Sequence, residues 1–178
     1  PEMLRQVVNR LSWADDRAPP DLTELTNWCS DRPGFIEHVA EFHSLPSDDS
    51  KFFEYRKDTV KELMIRLMFG GAYDAWIKEH GFDVKYEPRS PRVLKLASEL
   101  NELRNMVFQS LEWIDFVHKD RERLRKQHKK TAEEIERSVF SRVAQTLKNE
   151  VLTSMRSYLR ENGWTVLTLC FDGLMVQS

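Results

Sequence analysis

The chain is poor in cysteine: Cys29 and Cys170 are its only two, far apart, and neither has a histidine at zinc-like spacing. That excludes a disulfide framework and a metal finger, and predicts ordinary reduced thiols. Long apolar runs are lacking as well, so no stretch can span a membrane as a helix. The opening PEMLRQVV has neither the basic nor the apolar segment of a signal sequence. A soluble, intracellular protein with no membrane partner is expected. Charge of one sign is also missing, because 27 Lys and Arg stand against 29 Asp and Glu, a formal net charge of −2. Nucleic-acid binding through bulk charge is thereby disfavoured, and any basic surface must be local. No internal repeat or low-complexity tract is present.

What is present is a globular composition, 40% apolar over 178 residues, enough for one domain or a piece of a larger one. The chain opens without a methionine and stops a few residues after Asp172, which predicts a fragment. Helical periodicity dominates. Met3–Leu11 reads as a short amphipathic helix, stopped by SWADDRAPP. Asp21 and Glu24, at capping-box spacing, predict a helix running toward Trp28. Pro33 fits the first turn of the next, which carries Phe35, Ile36, Val39 and Phe42. SLPSDDS breaks the pattern, and Lys51–Phe69 restores it up to Gly70 and Gly71, a common helix ending.

Ala72–Glu79 predicts a short helix closed by Gly81, and FDVKYEPRSP a loop or a brief strand. An apolar stripe from Pro91 to about Val117 predicts one continuous helix. The charged HKDRERLRKQHKK follows, with seven basic residues between Lys119 and Lys130, read as an exposed helix end or mobile linker. Thr131 and Glu134 form a second capping-box match, opening a helix to Asn162 and Gly163. Only then do strands follow, Trp164–Cys170 and Leu174–Val176, with Asp172-Gly173 between them as a hairpin signal. Trp28, Trp76, Trp113 and Trp164 are expected in the core or in packing grooves.

In RKDTVKELMIRLMFGG, an advance of about 100° per residue puts Val60, Leu63, Met64, Leu67 and Gly71 on the core side. Lys57, Lys61, Ile65 and Phe69 drift off that side together. Two lysines and an aromatic on one ridge, next to paired glycines, suit a ligand that is planar at one end and anionic at the other, as a nucleotide is. A solvated basic face is the plainer reading of the same pattern.

Lys57, Lys61 and Phe69-Gly70 on one helix, followed later by a helix with Gln145 and then by strand, Phe171-Asp172 and strand, resemble the fingers-to-palm segment of family A DNA polymerases. Phage-type single-subunit RNA polymerases are relatives of that family. The resemblance covers Lys57 to Val176, with departures. Ile65 stands where a residue touching the sugar is common, Phe69 replaces tyrosine, Phe171 replaces histidine, and Gly173 replaces a frequent second acid.

The resemblance implies an α+β, predominantly α-helical fold: fingers helices plus a C-terminal β-hairpin belonging to a polymerase palm. Residues 1–50 would be a helical connector, 51–130 fingers-like helices, and 131–178 a palm-like helix and hairpin. It implies nucleotidyl transfer from a dNTP to a primer 3′ hydroxyl, with two Mg²⁺ ions and Asp172 as a metal ligand and catalytic carboxylate. Lys61 would bind the triphosphate and act in catalysis, with Lys57 assisting and Phe69-Gly70 beside the nascent base pair. Arg142, Gln145 and Asn149, which share one side of the long helix with Ser138 and Arg156, would face primer and template DNA. The partner carboxylate is expected upstream of Pro1, since Asp15, Asp16 and Asp21 sit in loop or cap contexts, and the fragment alone is expected to be inactive. The competing expectation is a non-catalytic helical nucleic-acid-binding or interaction module, in which Asp172-Gly173 is only a turn and the basic run from Lys119 to Lys130 does the binding.

Overall fold

The computed structural model describes residues 21–46, 50–127, 130–170 and 173–177. The helix expected over Met3–Leu11, the acids Asp15 and Asp16, and the pair Phe171-Asp172 lie outside these. The described residues form seven helices and a two-stranded antiparallel hairpin: α1 (Thr23–Ser30), α2 (Arg32–Phe42), α3 (Ser50–Met68), α4 (Tyr73–Glu79), α5 (Pro91–Gln109), α6 (Ile114–Gln127), α7 (Ala132–Glu161), β1 (Thr165–Cys170) and β2 (Gly173–Gln177). The coarse expectation of a mostly helical chain closed by a hairpin therefore holds. The chain divides into two compact units between Arg137 and Ser138.

In the first unit, α1 packs on α2 and α5, α3 on α2, α4 and α5, and α5 on α6. The core side read from the period of α3 is the buried one, with Val60 and Leu63 fully enclosed and Met64 and Leu67 nearly so, while Ile65 is 56% exposed. Pro33 lies in the first turn of α2, and Asp31 caps that helix by accepting from the Gly34 N–H at 3.0 Å. Trp28 meets Phe35 edge to face at a centroid distance of 5.4 Å, which locks α1 to α2.

The capping box expected at Asp21 and Glu24 does not form. Asp21 instead accepts from the Thr23 N–H at 3.1 Å, and Glu24 turns to Arg92 at 3.0 Å. The free N–H groups of Glu24 and Leu25 go to the carboxylate of Glu99 on α5, at 3.0 and 2.8 Å. Glu99 is buried, so this tertiary cap supplies an anion where the start of α1 is positive, and satisfies two donors that its own sequence leaves open.

A second buried polar group joins four segments. The Ser90 N–H donates to the Tyr73 hydroxyl at 3.4 Å, that hydroxyl donates to His43 Nε2, and His43 Nδ1–H donates to Glu87 at 2.6 Å. A neutral imidazole with its hydrogen on Nδ1 satisfies all three bonds. Trp76, its indole N–H on the Thr59 carbonyl at 3.0 Å, closes the aromatic wall around His43.

The helix expected from Pro91 to Val117 is two. Ser110 adopts an extended backbone (ψ 142°), and its buried hydroxyl bonds the Val107 carbonyl at 3.0 Å, ending α5. A serine that satisfies the backbone locally competes with the helix, and apolar spacing does not register this. The basic run is largely helix α6 rather than linker, and FDVKYEPRSP contains turns but no strand. The capping box at the start of α7 is present as expected, with the Thr131 N–H on Glu134 at 2.7 Å and the Glu134 N–H on the Thr131 hydroxyl at 3.3 Å. Thr131's hydrogen bonds hold the Glu134 carboxyl below its ordinary pKa.

In the second unit, α7 ends at Gly163, and Trp164 donates its backbone N–H to the Leu159 carbonyl at 2.9 Å. The Trp164 ring is 41% exposed rather than packed, unlike Trp28, Trp76 and Trp113, which are buried. Its backbone closes the helix and its ring is left outside. The strands pair Thr165 with Gln177, Val166 with Val176 and Thr168 with Met175, with a one-residue slip between Val166 and Thr168. Gly173, read as a turn residue, is the first residue of β2 and pairs with Cys170.

Removing the tertiary cap with Glu99→Ala is expected to lower stability by about 1–3 kcal/mol, measured by urea unfolding, because one buried and one partly buried N–H lose their acceptor. The relay sets a pH limit. Burial pushes the Tyr73 hydroxyl up to about 12, so its neutral form favours the folded state below pH 10 and that stability is lost as pH rises from 10 to 12. Tyr55, Tyr86 and Tyr158 are exposed. A tyrosinate absorbance titration is expected to show one late-ionising residue, absent in Tyr73→Phe.

Candidate functional site

Two clefts flank α3. The first, of about 670 Å³, lies between the opening turns of α2 and the middle of α3, and is lined by Arg32, Ile36, Glu37, Lys57 and Lys61 among others. The lysine ridge read from the sequence therefore opens into a cavity. Among the described residues, Lys57 and Lys61 pair with acids one turn back on their own helix, Glu54 at 3.1 Å and Asp58 at 3.2 Å. Such exposed pairs are worth at most about 1 kcal/mol and yield readily to a stronger anion. Glu37 is, among the described residues, the carboxylate that lines the cleft, and Arg56 binds it at 2.9 Å. Among the described residues, three cations thus line the cleft against one engaged acid.

Arg32, which the sequence did not single out, adds to this. Its guanidinium lies 5.2 Å from the Trp28 ring centroid, and only the fold brings the first turn of α2 alongside α3. Nothing in its local sequence distinguishes it from any residue before a proline.

The second cleft, of about 770 Å³, lies past the end of α3 and is lined by Gly70 and Gly71, by the polar ridge of α5 and by the first turns of α7. Gly70 explains why α3 ends where it does. Its φ of +78° suits glycine, its N–H bonds the Leu67 carbonyl at 3.0 Å, and the Gly71 N–H bonds the Arg66 carbonyl at 2.7 Å. These are the two hydrogen bonds of a Schellman ending. A Cβ on Gly70 would fall on the guanidinium of Arg104. Arg66 forks onto Glu79 of α4 and reaches Glu62 at 3.1 Å, fixing the turn to its neighbours.

Phe69 is half-buried and lines neither of these two clefts. Lys57 and Lys61 thus share one cleft, whereas Gly70 opens on the other. Arg142, Gln145 and Asn149 lie on α7 in the second unit, Gln145 and Asn149 exposed and Arg142 half-buried, on the side opposite the buried Val139, Phe140, Val143 and Leu147. Asp172 lies outside the described residues, and among the described residues no group of three or more His, Cys, Asp or Glu is arranged to hold a metal ion. Also among the described residues, no helix is long and apolar enough to cross a membrane. In the basic run, Arg121 pairs with Glu136 at 2.6 Å and Arg123 with Asp120 at 2.9 Å, so part of that run serves the fold.

Compared with protein-family models, curated proteins and solved structures, the chain has no match.

Gly70→Ala is expected to destabilise the chain in thermal unfolding by at least the roughly 1–2 kcal/mol that the left-handed backbone costs a residue with a Cβ. Gly81→Ala, with φ +80° but nothing near its Cβ, is the control that separates backbone strain from displacement of Arg104.

Proposed function

We propose that this chain is part of a template-directed DNA polymerase, its lysine cleft receiving the triphosphate of a dNTP. The observation that carries this reading is that Lys57 and Lys61 line one cleft with Arg32, two turns before the Phe69-Gly70 helix ending. Point charges on a rigid helix suit a triphosphate, whose charge grows on the leaving pyrophosphate as the bond to it breaks. Helices α3–α6 would then be fingers, α1 and α2 a connector before them, and α7 with the hairpin part of a palm. Strands β1 and β2 flank Phe171-Asp172 in sequence, as the resemblance to family A polymerases requires.

Asp172 would be the carboxylate for Mg²⁺, which when bound supplies charge neutralisation at the phosphates. Lys61 holds the triphosphate, Lys57 assists, and Phe69 stands beside the nascent base pair. Arg142, Gln145 and Asn149 provide polar contacts to primer and template along one side of α7. A DNA primer-template and dNTPs are the partners on this reading.

The test is primer extension with Mg²⁺ and labelled dNTPs, in the complete polypeptide that carries these residues. Asp172→Ala is expected to abolish extension. Lys61→Ala is expected to raise KM for dNTP about 10- to 100-fold, the loss of one charge-assisted contact of roughly 1.5–3 kcal/mol. Extension that survives Asp172→Ala, or a parent polypeptide that extends no primer, would overturn the proposal in favour of a non-catalytic helical module.

A further inference from the structure

The cleft beyond α3 holds a guanidinium that, among the described residues, forms no ion pair. Three arginines line it, and two are engaged. Arg121 forks onto Glu136 at 2.8 and 2.6 Å and stacks over the Phe108 ring at 4.9 Å, while Arg137 pairs with Glu133 at 3.2 Å. Arg104 has one hydrogen bond, to the Asn101 side-chain oxygen, and no carboxylate partner among the described residues. It is half-buried, and burial, followed by the charge of Arg137, lowers its pKa against a smaller opposing pull from Glu136, though a guanidinium stays charged throughout the range in which proteins are folded. A charge held partly out of water without a partner is unfavourable, and a bound anion relieves it.

The surroundings narrow the anion. A guanidinium offers a planar fork that matches phosphate or carboxylate oxygens. Arg104 and Asn105 lie three and four residues after Asn101 on α5, so the two flank it on one side of the helix, and the amides of Asn101 and Asn105 line the same cleft. Glu133 and Glu136 also line the cleft, and their charge opposes any anion. A carboxylate ligand would gain from one fork only, whereas a phosphate has further oxygens for the amides. Gly70, without a side chain, leaves room for the guanidinium to lie against the turn. At about 770 Å³ the cleft admits a ligand far larger than phosphate alone, within the range usual for small-molecule sites.

We infer that Arg104, with Asn101 and Asn105, binds a phosphate group of a nucleotide or of a nucleic-acid strand in the cleft beside Gly70, apart from the cleft of Lys57 and Lys61. This site needs neither Asp172 nor a metal ion, so it stands or falls separately from the polymerase proposal.

The test uses the whole chain in EDTA, with Lys57→Gln and Lys61→Gln combined as the background so that the other cleft lacks its lysines. Tripolyphosphate is titrated calorimetrically, and a labelled single-stranded oligonucleotide is followed by fluorescence anisotropy. The background is expected to bind at least one probe, and adding Arg104→Gln to weaken that binding about tenfold or more. Arg104→Lys, which keeps the charge and loses the fork, is expected to fall between the two, and serves if the glutamine variant melts early by circular dichroism. Binding of tripolyphosphate assigns the site to a nucleotide, and binding of the oligonucleotide alone assigns it to a strand. Absence of binding to both probes, or affinity unchanged by the loss of the guanidinium, would overturn the inference.

Discussion

One buried imidazole governs the first unit. His43 sits just past α2, yet its two nitrogens are committed to Tyr73 on α4 and to Glu87 in the loop before α5. The backbone accommodates this. Ser44, the next residue, has a φ of +50°, a conformation that a non-glycine side chain disfavours, and its N–H closes the end of α2 on the Glu41 carbonyl at 3.0 Å. Local strain at Ser44 is accepted because the ring beside it is fixed by partners from elsewhere in the chain. With His43 in place, α4 is held against α3 and the start of α5 is set. The end of α3 and the Arg104 ridge follow from these two placements.

The two clefts then differ in how their charge is held. Lys57 and Lys61 are flexible ammonium groups with weak partners on their own helix, so a ligand competes only with short-range surface pairs. In the Gly70 cleft the cations are guanidiniums, Arg121 fixed by its fork on Glu136 and its stacking on Phe108, and Arg104 lying against the side-chain-free turn at Gly70. The first arrangement suits a mobile, highly charged group that arrives and leaves, and the second a group held in one orientation.

Much of this was legible from residue spacing, and the exceptions have physical causes. The core side of α3, the ending at Gly70, the Thr131–Glu134 box and the terminal hairpin each depend on neighbours within a few residues, and each was read from them. The break at Ser110, the Glu99 cap of α1 and the exposed Trp164 do not follow from local spacing. A hydroxyl's choice between water and its own helix, or a carboxylate's choice of a helix 74 residues away, is decided by packing. The candidate sites divide along the same line. The lysine ridge was visible because it lies on one helix, whereas Arg32 was not, because its neighbours are supplied by folding. The ridge of Asn101, Arg104 and Asn105 left a signal that went unread, a polar stripe between the apolar positions 100, 103 and 107.

The amide of Ser90 gives the His43 chain a consequence in time as well as in energy. Most protected amides in a helical unit donate to carbonyls and exchange with solvent as their own helix opens. This one, at the head of α5, donates to a phenolic oxygen. Its exchange is therefore gated by the residence of a side chain, and a single backbone proton serves as the clock of a buried network.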